Sequence, residues 1–504
     1  MTETFADLIA CEDVLMFVNA ATTSTGQREF RHDEGEQRLS LGFLHAYMLE
    51  NYRALYAAAL ALDINDHNAA LIVRNLLRGA AAVDVETRRA EGRLIARRLV
   101  LLPPQRVYRL FRDLRRAGVN NRRTRAIMRD WLAARPDLAF DAVKYRAGVK
   151  RTVRHAHLGL DRETGTFLFA PRARKAYDRP IFESWRRAHH DQRAVYELPF
   201  TVAEGFAAKH GIPRAVFLER IEPRLTRLER LRLQEHARKA KVASVEADLG
   251  AMPLTRLATY VLSLPLDERS ERRAELTGSL RTAARRTAGA RAGTWGRVAA
   301  VLDDSFSTTG SAQKRRRPLA VALAGHHLLE ALAAEYAPLW TSGRVDALML
   351  YPFGPTPLGE RILDALDTAP DRLVIISDGW DNAPPGLAAE VLRVWRTRLD
   401  PARRVAVTHL NPVYDADDFD VRRLAPTVPT AGVRDAENIP ALVELARFAE
   451  GRSGLAELRA HLDDQVARFL AAPAPEAADA PALSAEAADA GSGPGASASA
   501  GAGG

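Results

Sequence analysis

The sequence predicts an α + α/β protein, with an N-terminal α-solenoid of stacked helices followed by a doubly wound α/β sheet. Two observations predict it. Over residues 1–270, apolar side chains recur at spacings of three and four, interrupted by short breaks rich in proline and glycine. Over residues 297–470, apolar runs of strand length alternate with segments of helix length, which is typical of a mostly parallel sheet covered by helices.

The helices of the first half are predicted from periodicity. Leu44, Met48 and Tyr52 form one apolar stripe, as expected for an amphipathic helix that buries one face. Similar stripes cover residues 69–77, 95–114, 124–132 and 214–238. Helices of this length joined by short breaks indicate stacked helical hairpins.

In the second half we predict strands and helices in alternation. The predicted strands are Arg297–Leu302, Val345–Tyr351, Leu373–Ile376 and Arg404–His409. The predicted helices lie near Arg317–Tyr336, Leu358–Leu366, Leu387–Arg398 and Glu437–Phe448. This alternation implies parallel strands joined by crossover helices.

Composition divides the chain into four parts. Residues 1–270 form the helical part, and residues 271–296, rich in Ala, Arg and Gly, form a basic connector to the first strand. Residues 297–470 form the α/β domain. Residues 471–504 contain Ala, Gly, Pro and Ser with almost nothing to bury, so we expect this tail to be disordered.

Charge is uneven along the chain. The net charge is +9, but residues 298–470 contain 19 Lys and Arg against 24 Asp and Glu. The basic excess therefore lies in residues 1–297, which suits the binding of a polyanion.

Cysteine usage and hydropathy limit the class of protein. The single cysteine, Cys11, excludes a disulfide framework and a cysteine metal cluster. The N-terminus lacks a basic leader, and no apolar run approaches the length of a membrane span. We therefore expect a cytoplasmic protein that makes no membrane contact, and we expect it to be a monomer.

Oxygen-bearing side chains follow two of the predicted strands. Asp303, Ser305 and Ser307 come directly after Arg297–Leu302, and Asp378 follows Leu373–Ile376. The carboxyl ends of parallel strands meet at one edge of a sheet, so these side chains are expected to lie together. Hard oxygen ligands favour Mg²⁺ or Mn²⁺. The alternative for the serines and aspartate is a helix cap.

The Asp-x-Ser-x-Ser run resembles the metal-ion-dependent adhesion site of von Willebrand factor A domains. The Asp-Gly turn of that family is matched at residues 378 and 379, and its loop threonine is matched by Thr356 in a Gly-Pro-Thr-Pro segment. The resemblance implies a divalent cation held for binding and not for hydrolysis. Its implied ligands are Asp303, Ser305, Ser307, Thr356 and Asp378.

The densest basic charge of the chain lies between residues 112 and 154. Guanidinium groups bind phosphates and stack on bases, so this segment suits RNA, and the alternative is a solvated helix face. The candidate RNA-binding residues are Arg122, Arg125, Lys144, Arg146, Lys150, Arg151, Arg154 and His157.

The order of motifs around this segment resembles the TROVE module of Ro-type RNA-binding proteins. The motifs are Ile-Met-Arg-Asp-Trp-Leu at 127–132, Asp-Ala-Val-Lys-Tyr-Arg at 141–146, His-Ala-His-Leu at 155–158 and Met-Pro-Leu-Thr at 252–255. The resemblance implies a ring of HEAT-like helical repeats closed by a von Willebrand A domain, in a ribonucleoprotein. Lys144 falls on the family's RNA-contacting lysine, and His157 falls on its His-Leu histidine.

The resemblance also implies partners. Single-stranded 3′ ends of misfolded RNAs are expected in the hole of the ring, and structured non-coding RNAs on its outer surface. The expected role is RNA quality control or processing, with a nuclease or RNA-repair protein as a further partner.

Two other classes of function are weighed against RNA binding. In a metal-dependent protein–protein adaptor without RNA binding, an acidic side chain of the partner would complete the coordination at Asp303. An enzyme is the third class, but the sequence has neither a Gly-rich phosphate loop with Lys-Ser/Thr nor a His-Glu-x-x-His motif, so we predict no catalytic residue. The adjacent His326 and His327 are expected to point apart, and the acidic residues 415–420 are expected to form a solvated turn.

Overall fold

The computed structural model describes residues 5–226, 229–230, 233, 248–446, 448 and 454–473. Helices fill the first half and a five-stranded parallel sheet lies in the second, which confirms the predicted α plus α/β class. Residues 474–504, most of the tail predicted to be disordered, lie outside the described residues, as does much of the stripe at 214–238. Among the described residues, no helix is both long and apolar enough to span a membrane.

Seven of the described helices in the first half form two rows. The helices of this half are α1 Phe5–Thr23, α2 Glu34–Asn51, α3 Arg53–Ala58, α4 Asp66–Arg78, α5 Val85–Leu101, α6 Pro104–Arg116, α7 Arg122–Ala133, α8 Leu138–Lys144, α9 Arg146–Ala156, α10 Arg162–Phe169, α11 Pro180–Arg187, α12 Phe200–Lys209 and α13 Arg214–Ile221. Helices α2, α4, α6 and α9 pack side by side, and α3, α5 and α7 pack in a second row. The predicted stripe residues Leu44 and Met48 are buried in the core between them.

Side chains at their N-termini fix where several of these helices begin. Asp33 accepts hydrogen bonds from Gly35 N and Glu36 N, and the Glu36 side chain accepts one from Asp33 N, so a capping box starts α2. Asn65 and Asn121 cap α4 and α7 in the same way, with one hydrogen bond each to the backbone three residues on.

The five-stranded sheet has the order β2-β1-β3-β4-β7, with every pair parallel. Its strands are β1 Arg297–Leu302, β2 Glu335–Trp340, β3 Arg372–Ile376, β4 Ala406–Asn411 and β7 Thr430–Gly432; β5 Tyr414–Asp415 and β6 Asp420–Val421 form a separate antiparallel hairpin. Strand order reverses between β1 and β3. The carboxyl ends of these two strands therefore border one crevice, where Leu302 pairs with Ile376.

Helices cover both faces of the sheet. The helices around the sheet are α14 Leu254–Ser263, α15 Leu266–Glu271, α16 Arg273–Ala288, α17 Arg317–Leu332, α18 Leu358–Asp367, α19 Leu387–Val394 and α20 Ile439–Ala446, whereas the last described helix, α21 Leu455–Ala471, packs on the helical half. Val298, Ala300 and Leu302 of β1 face α14, α16, α17 and α20, whereas Ala299 and Val301 face α18 and α19. This alternation follows from the two-residue period of a strand.

The segment expected to be a connector, residues 271–296, differs from that expectation. Most of it is helix α16, whose Leu276 and Leu280 are buried in the same core as the sheet. These residues lie one turn apart on one face, and that face packs on α17. The helical cover of the sheet thus begins near residue 249, before the predicted boundary at 270.

The strand predicted at Val345–Tyr351 is wrong, and the neighbour of β1 is β2. The helix predicted to reach Tyr336 ends at Leu332. β2 contains Pro338, which has no N–H to donate, and the sheet tolerates it because β2 is an edge strand paired only with β1. β1 lies where it was predicted, β3 and β4 start within two residues of the prediction, and β7 was not predicted.

The apolar run mistaken for a strand is held by a buried arginine. Arg269 is 2% exposed, and its guanidinium donates to Leu348 O at 3.2 Å and to Leu350 O at 2.8 Å. The same side chain donates to the carbonyls of Leu262 and Leu264. One side chain thus accepts the role that a neighbouring strand would have had for these two carbonyls, so Leu348 and Leu350 are buried without forming a strand.

Helix α1 of the helical half contacts the sheet half, and helix α21, which follows the sheet along the chain, packs on the helical half. In α1, Asn19 Nδ2 donates to Asp420 Oδ1 and Asn19 Oδ1 accepts from Gly432 N, both at 2.8 Å, which docks α1 on β6 and β7. Helix α21 returns to pack against α1, α3 and α5. There Arg97 donates to the carbonyl of Phe469 at 3.2 Å.

Candidate metal centre

The structure brings Asp303 and Asp378 to the carboxyl ends of β1 and β3. Both are buried, at 1% and 6% exposure, and Asp303 N donates to Ile376 O at 3.0 Å, so the two strand ends are held in register. Asp303 Oδ1 accepts from Ser305 N at 2.9 Å. The order of the strands therefore brings the two acids together in the crevice, as predicted.

One oxygen of Asp303 has no partner. Asp303 Oδ2 is buried and has no hydrogen bond with any described residue. Burial, and then the negative charge of Asp378, raise the pKa of Asp303 to about 7. A buried acceptor without a donor is costly, and an oxygen-ligating cation is the kind of group that would satisfy it.

The hydroxyl groups of the motif connect the two acids. Ser305 Oγ and Ser307 Oγ lie 3.2 Å apart, and the Ser307 hydroxyl donates to the Asp378 carboxylate. That bond lowers the pKa of Asp378, but burial raises it by more. Asp303, Ser305, Ser307 and Asp378 thus form one cluster of oxygen atoms, which fits a hard divalent cation.

The predicted fifth ligand, Thr356, lies in the loop beside this cluster. It is buried, and Thr356 N donates to Asn382 Oδ1 at 2.8 Å. Phe306 N donates to Gly354 O at 3.0 Å, which ties the threonine loop to the Ser305–Ser307 turn. The short backbone links hold Thr356 next to the motif.

Asp304 differs from Asp303 although it is its neighbour. Asp304 is fully buried and accepts from Thr341 Oγ1 at 2.9 Å, from Ser342 N at 2.9 Å and from Ser342 Oγ at 2.6 Å. Arg344 adds an ion pair at 3.3 Å. Both carboxylate oxygens of Asp304 thus bind the loop after β2, so the role of this residue is structural.

Arginines that the sequence did not single out lie beside Asp378. The guanidinium carbons of Arg31 and Arg422 lie 3.8 Å from the ring centre of Trp380. Their positive charges lower the pKa of Asp378, less than burial raises it. Gly379, at φ +78°, is required here because a Cβ would lie 2.7 Å from Arg422 O.

Arg31 reaches the metal centre on a segment of the helical half. Glu29 and Lys314 form a buried ion pair at 2.5 Å, and Ser311 Oγ donates to Arg28 O at 2.6 Å. These contacts hold the segment of Arg31 against the sheet half.

Of these residues, Trp380 could have been noticed in the sequence, because it follows the Asp-Gly turn directly. Nothing in the local pattern around Arg31 signals its position, since it comes from the opposite end of the chain.

Two further groups of described residues could hold a metal ion. His326, His327 and Glu330 each offer a ligand atom within 4.8 Å of the others, so the expectation that the two histidines point apart is wrong. The centres of their rings lie 4.7 Å apart. Glu330 is already paired with Arg281 at 3.0 Å, which opposes a cation there.

The second group joins His32 to the acidic hairpin. His32, Asp415 and Asp417 also offer atoms within 4.8 Å of one another, and His32 Nε2 lies 3.1 Å from Asp415 Oδ1. The solvated turn expected at residues 415–420 is therefore only partly right. Asp417 and Asp418 are exposed, but Asp415 and Asp420 are buried because they bind the helical half.

Most of the predicted RNA-binding residues lie open on α7 and α9, two helices that pack together. Arg122, Arg125, Arg151, Arg154 and His157 are exposed, and Lys150 is half-buried. Among the described residues, none of these arginines has an ion-pair partner. His157 follows the last residue of α9 in the left-handed region at φ 54°.

Lys144 and Arg146 lie in a different setting. Lys144 is only 12% exposed and faces Glu229 at 3.9 Å. Arg146 donates to Phe167 O at 2.6 Å and stacks between Phe167 and Trp185. Burial lowers the pKa of Arg146. Both side chains are engaged in holding helices together, so an RNA contact by either would compete with these interactions.

Comparison with known proteins assigns no family. No protein-family model matches the sequence, and no curated protein matches it either. The function is therefore inferred from the arrangement of these residues and from the order of the sequence motifs.

Proposed function

We propose that this chain is an RNA-binding scaffold of the Ro type. Its helical half would be a TROVE module of HEAT-like repeats, and its sheet half a von Willebrand A domain with a metal-ion-dependent adhesion site. The ordered motifs from residue 127 to residue 255 support this proposal, as do the two rows of helices. The Asp303 cluster at the point where strand order reverses supports the second part.

The observation that carries RNA binding is a surface we call the basic face. It comprises Arg122, Arg125, Lys150, Arg151, Arg154 and His157 on α7 and α9. Exposed guanidinium groups without acidic partners attract phosphates and release counterions when they bind them. Phe169 is 38% exposed and lies beneath Lys150 and Arg154, at 5.4 and 5.0 Å, where a base could stack.

This arrangement suits single-stranded or unpaired RNA. Arginines around an exposed aromatic ring recognise phosphates and base faces without reading a sequence. We therefore assign non-coding RNAs, including the 3′ ends of misfolded ones, as the ligands. The chain would hold such RNA for quality control or processing by a nuclease or RNA-repair protein.

RNA binding is tested by removing charge from the basic face alone. A fluorescent RNA of about 12 nucleotides is titrated with the protein and with Arg151→Gln/Arg154→Gln, and the Kd is measured by anisotropy. We expect a loss of affinity of about 30-fold in the variant, since each of the two phosphate contacts contributes about 1 kcal/mol. Arg393→Gln/Arg398→Gln removes the same charge from an exposed surface of the sheet half and serves as the control. Equal affinity of all three proteins would refute the assignment.

At the metal centre, Asp303, Asp378, Ser305, Ser307 and Thr356 would hold Mg²⁺ or Mn²⁺. The fit rests on the orphaned Asp303 Oδ2 and on a donor set made only of oxygens. A bound cation would supply open coordination positions for an oxygen ligand. These residues would hold the cation at the crevice, and the buried strand ends would exclude water on the side of the sheet.

A metal-dependent protein adaptor is the second candidate, and a specific observation favours it. Phe306, Phe353 and Tyr351 next to the motif are 62%, 56% and 39% exposed, which is unusual for side chains of this size. Aromatic residues around an open cation suit a partner that inserts an acidic side chain. Partner capture that is lost with a chelator and with Asp303→Asn, but kept in Arg151→Gln/Arg154→Gln, would favour the adaptor over RNA binding.

A further inference from the structure

The helical half contains a cleft that neither the metal centre nor the basic face uses. It has a volume of about 360 Å³ and lies between α2, α4 and α6. His67, Ala70 and Arg74 line it from α4, and Arg106 and Arg109 line it from α6. Spacings of three and four place these residues on one face of each helix, so the two helices turn a common polar face into the cleft.

Positive charge is concentrated in this cleft. Of the described residues that line it, four are arginines and two are acids. The arginines are Arg38, Arg74, Arg106 and Arg109. Both acids are already engaged, because Glu34 pairs with Arg38 and Asp113 pairs with Arg112 at 3.1 Å.

Two of these guanidinium groups keep their donors available. Neither Arg74 nor Arg109 forms an ion pair with a described residue, and Arg74 Nε makes only a long bond of 3.4 Å to Asn75 Oδ1. The half-buried His67 is subject to the same positive potential. Burial, and then the charges of neighbours with Arg106 foremost, lower its pKa to about 3, so His67 is neutral and adds no charge of its own.

We infer that the cleft binds a phosphate monoester of the size of a nucleotide. Guanidinium groups match phosphate in charge and in fork geometry, and two unpaired ones converge on a single cleft. The volume is that of a small-molecule site and exceeds what inorganic phosphate fills. Ala70 and Leu71 supply an apolar wall for the sugar or base.

The ligand would also contact the sheet half. Gln313 lines the cleft from the loop before α17, and its side chain donates to Glu34 at 3.2 Å and accepts from Arg28 N at 2.9 Å. Gln313 is adjacent to Lys314, which pairs with Glu29. Occupancy of the cleft would therefore stabilise the docking of the two halves against each other.

In the test, adenosine 5′-monophosphate is titrated into the full chain at low salt, and binding is measured by calorimetry. We expect binding of this nucleotide, no binding of adenosine, and an affinity about tenfold lower in Arg74→Gln/Arg109→Gln. Arg393→Gln/Arg398→Gln is the charge-matched control and should bind normally. Circular dichroism of each variant checks that the helices are retained.

A second variant blocks the cleft without removing charge. Ala70→Gln keeps a good helix former and fills space, so it should weaken binding while leaving all four arginines in place. Normal nucleotide affinity in both Ala70→Gln and Arg74→Gln/Arg109→Gln would overturn the inference, as would the absence of binding by every phosphate probe used.

The source of the phosphate is distinguished with RNA. If RNA carrying a 5′-phosphate outcompetes the same RNA with a 5′-hydroxyl, and Arg74→Gln/Arg109→Gln abolishes that preference, the phosphate belongs to an RNA end. If adenosine 5′-monophosphate binds and the two RNAs compete equally, the ligand is a free nucleotide. The site is independent of the basic face, since Arg74→Gln/Arg109→Gln should still bind 5′-hydroxyl RNA.

Discussion

The metal centre and the basic face both carry charge without a partner, but they hold it in opposite settings. Asp303 is 1% exposed and is fixed by the ends of two strands, whereas Arg151 and Arg154 are exposed on a helix. An unsatisfied buried oxygen is costly, so the first arrangement depends on every neighbour. Exposed charges cost little, so on the basic face the contributions of single arginines should add and the loss of one should be tolerated. Single substitutions should therefore act sharply at the metal centre and gradually on the basic face.

The largest effect is expected where a buried acid is fully used. Asp304→Ala removes the acceptor for the buried Thr341 and for the half-buried Ser342 and Arg344, and leaves their donors without it. We expect the free energy of unfolding to fall by about 3–5 kcal/mol. Urea denaturation measures it. A loss below about 1 kcal/mol would mean that the loop after β2 does not depend on this acid.

Asp303→Asn should behave in the opposite way. Because it replaces a carboxylate with an unsatisfied oxygen by a neutral amide, the metal-free protein should keep its stability. Its affinity for Mn²⁺ should fall by at least about 100-fold, since one of the metal's ligands is removed. Thermal unfolding with increasing MnCl₂ measures this. Asp367→Asn, an exposed acid of α18, is the control, and an equal Mn²⁺ response in both variants would exclude Asp303 as a ligand.

The pH dependence of stability should have opposite signs in the two halves. His45 is buried between Tyr56 and Asn68, and burial lowers its pKa to about 4 from 6.5. Between these values the unfolded chain binds more protons, so stability present above pH 6.5 is lost as pH falls towards 4. For Asp303, whose pKa is raised to about 7 from 3.8, the metal-free protein loses stability as pH rises through that range.

Urea midpoints over this range separate the two contributions. His45→Gln should flatten the loss at acid pH, by about 1–3 kcal/mol, and Asp303→Asn should flatten the loss towards neutral pH. The half-buried His67 and the buried His409, whose pKa values are also lowered, will keep part of the loss of stability at acid pH. An unchanged profile in His45→Gln would show that this histidine is protonated without cost.

The smallest effect concerns salt. Arg122→Gln/Arg125→Gln should weaken RNA binding by about threefold and reduce the dependence of log Kd on log salt by about 1.4, or about 0.7 for each phosphate that the variant no longer neutralises. Anisotropy titrations at several salt concentrations measure the slope. A parallel shift with no change of slope would mean that these two arginines act through structure and do not bind phosphate.

The sequence predicted those structural features that depend on a local pattern of residues. The apolar run ending in Asp303 gave β1 and the position of the candidate metal centre, because a buried parallel strand and its polar end are contiguous. It did not give β2, because Pro338 is acceptable only at an edge, and the edge is known only from the sheet order. The resemblance singled out Asp303, but the role of Asp304 could not be predicted, since Thr341 and Ser342, which donate to it, come from a different strand end.

Contacts between distant segments account for the other misses. Arg31 stacks on Trp380 because α1 and the segment after it dock on the sheet half. Lys144 looked like an open contact in a basic run, but residue 229, far along the chain, faces it. A charge pattern reports residue types on a helix and not which face the rest of the chain covers.

The contacts that α1 and α21 make between the two halves affect the order in which this protein folds. Leu458 and Leu462 of the last described helix are buried in the same core as Phe17 of the first one. On a ribosome the first helix emerges hundreds of residues before the β5–β6 hairpin and α21, whereas α2 and α4, which it also contacts, follow it directly. The core of the helical half is therefore complete only after α21 has been made, and a protein truncated near residue 450 should depend on chaperones.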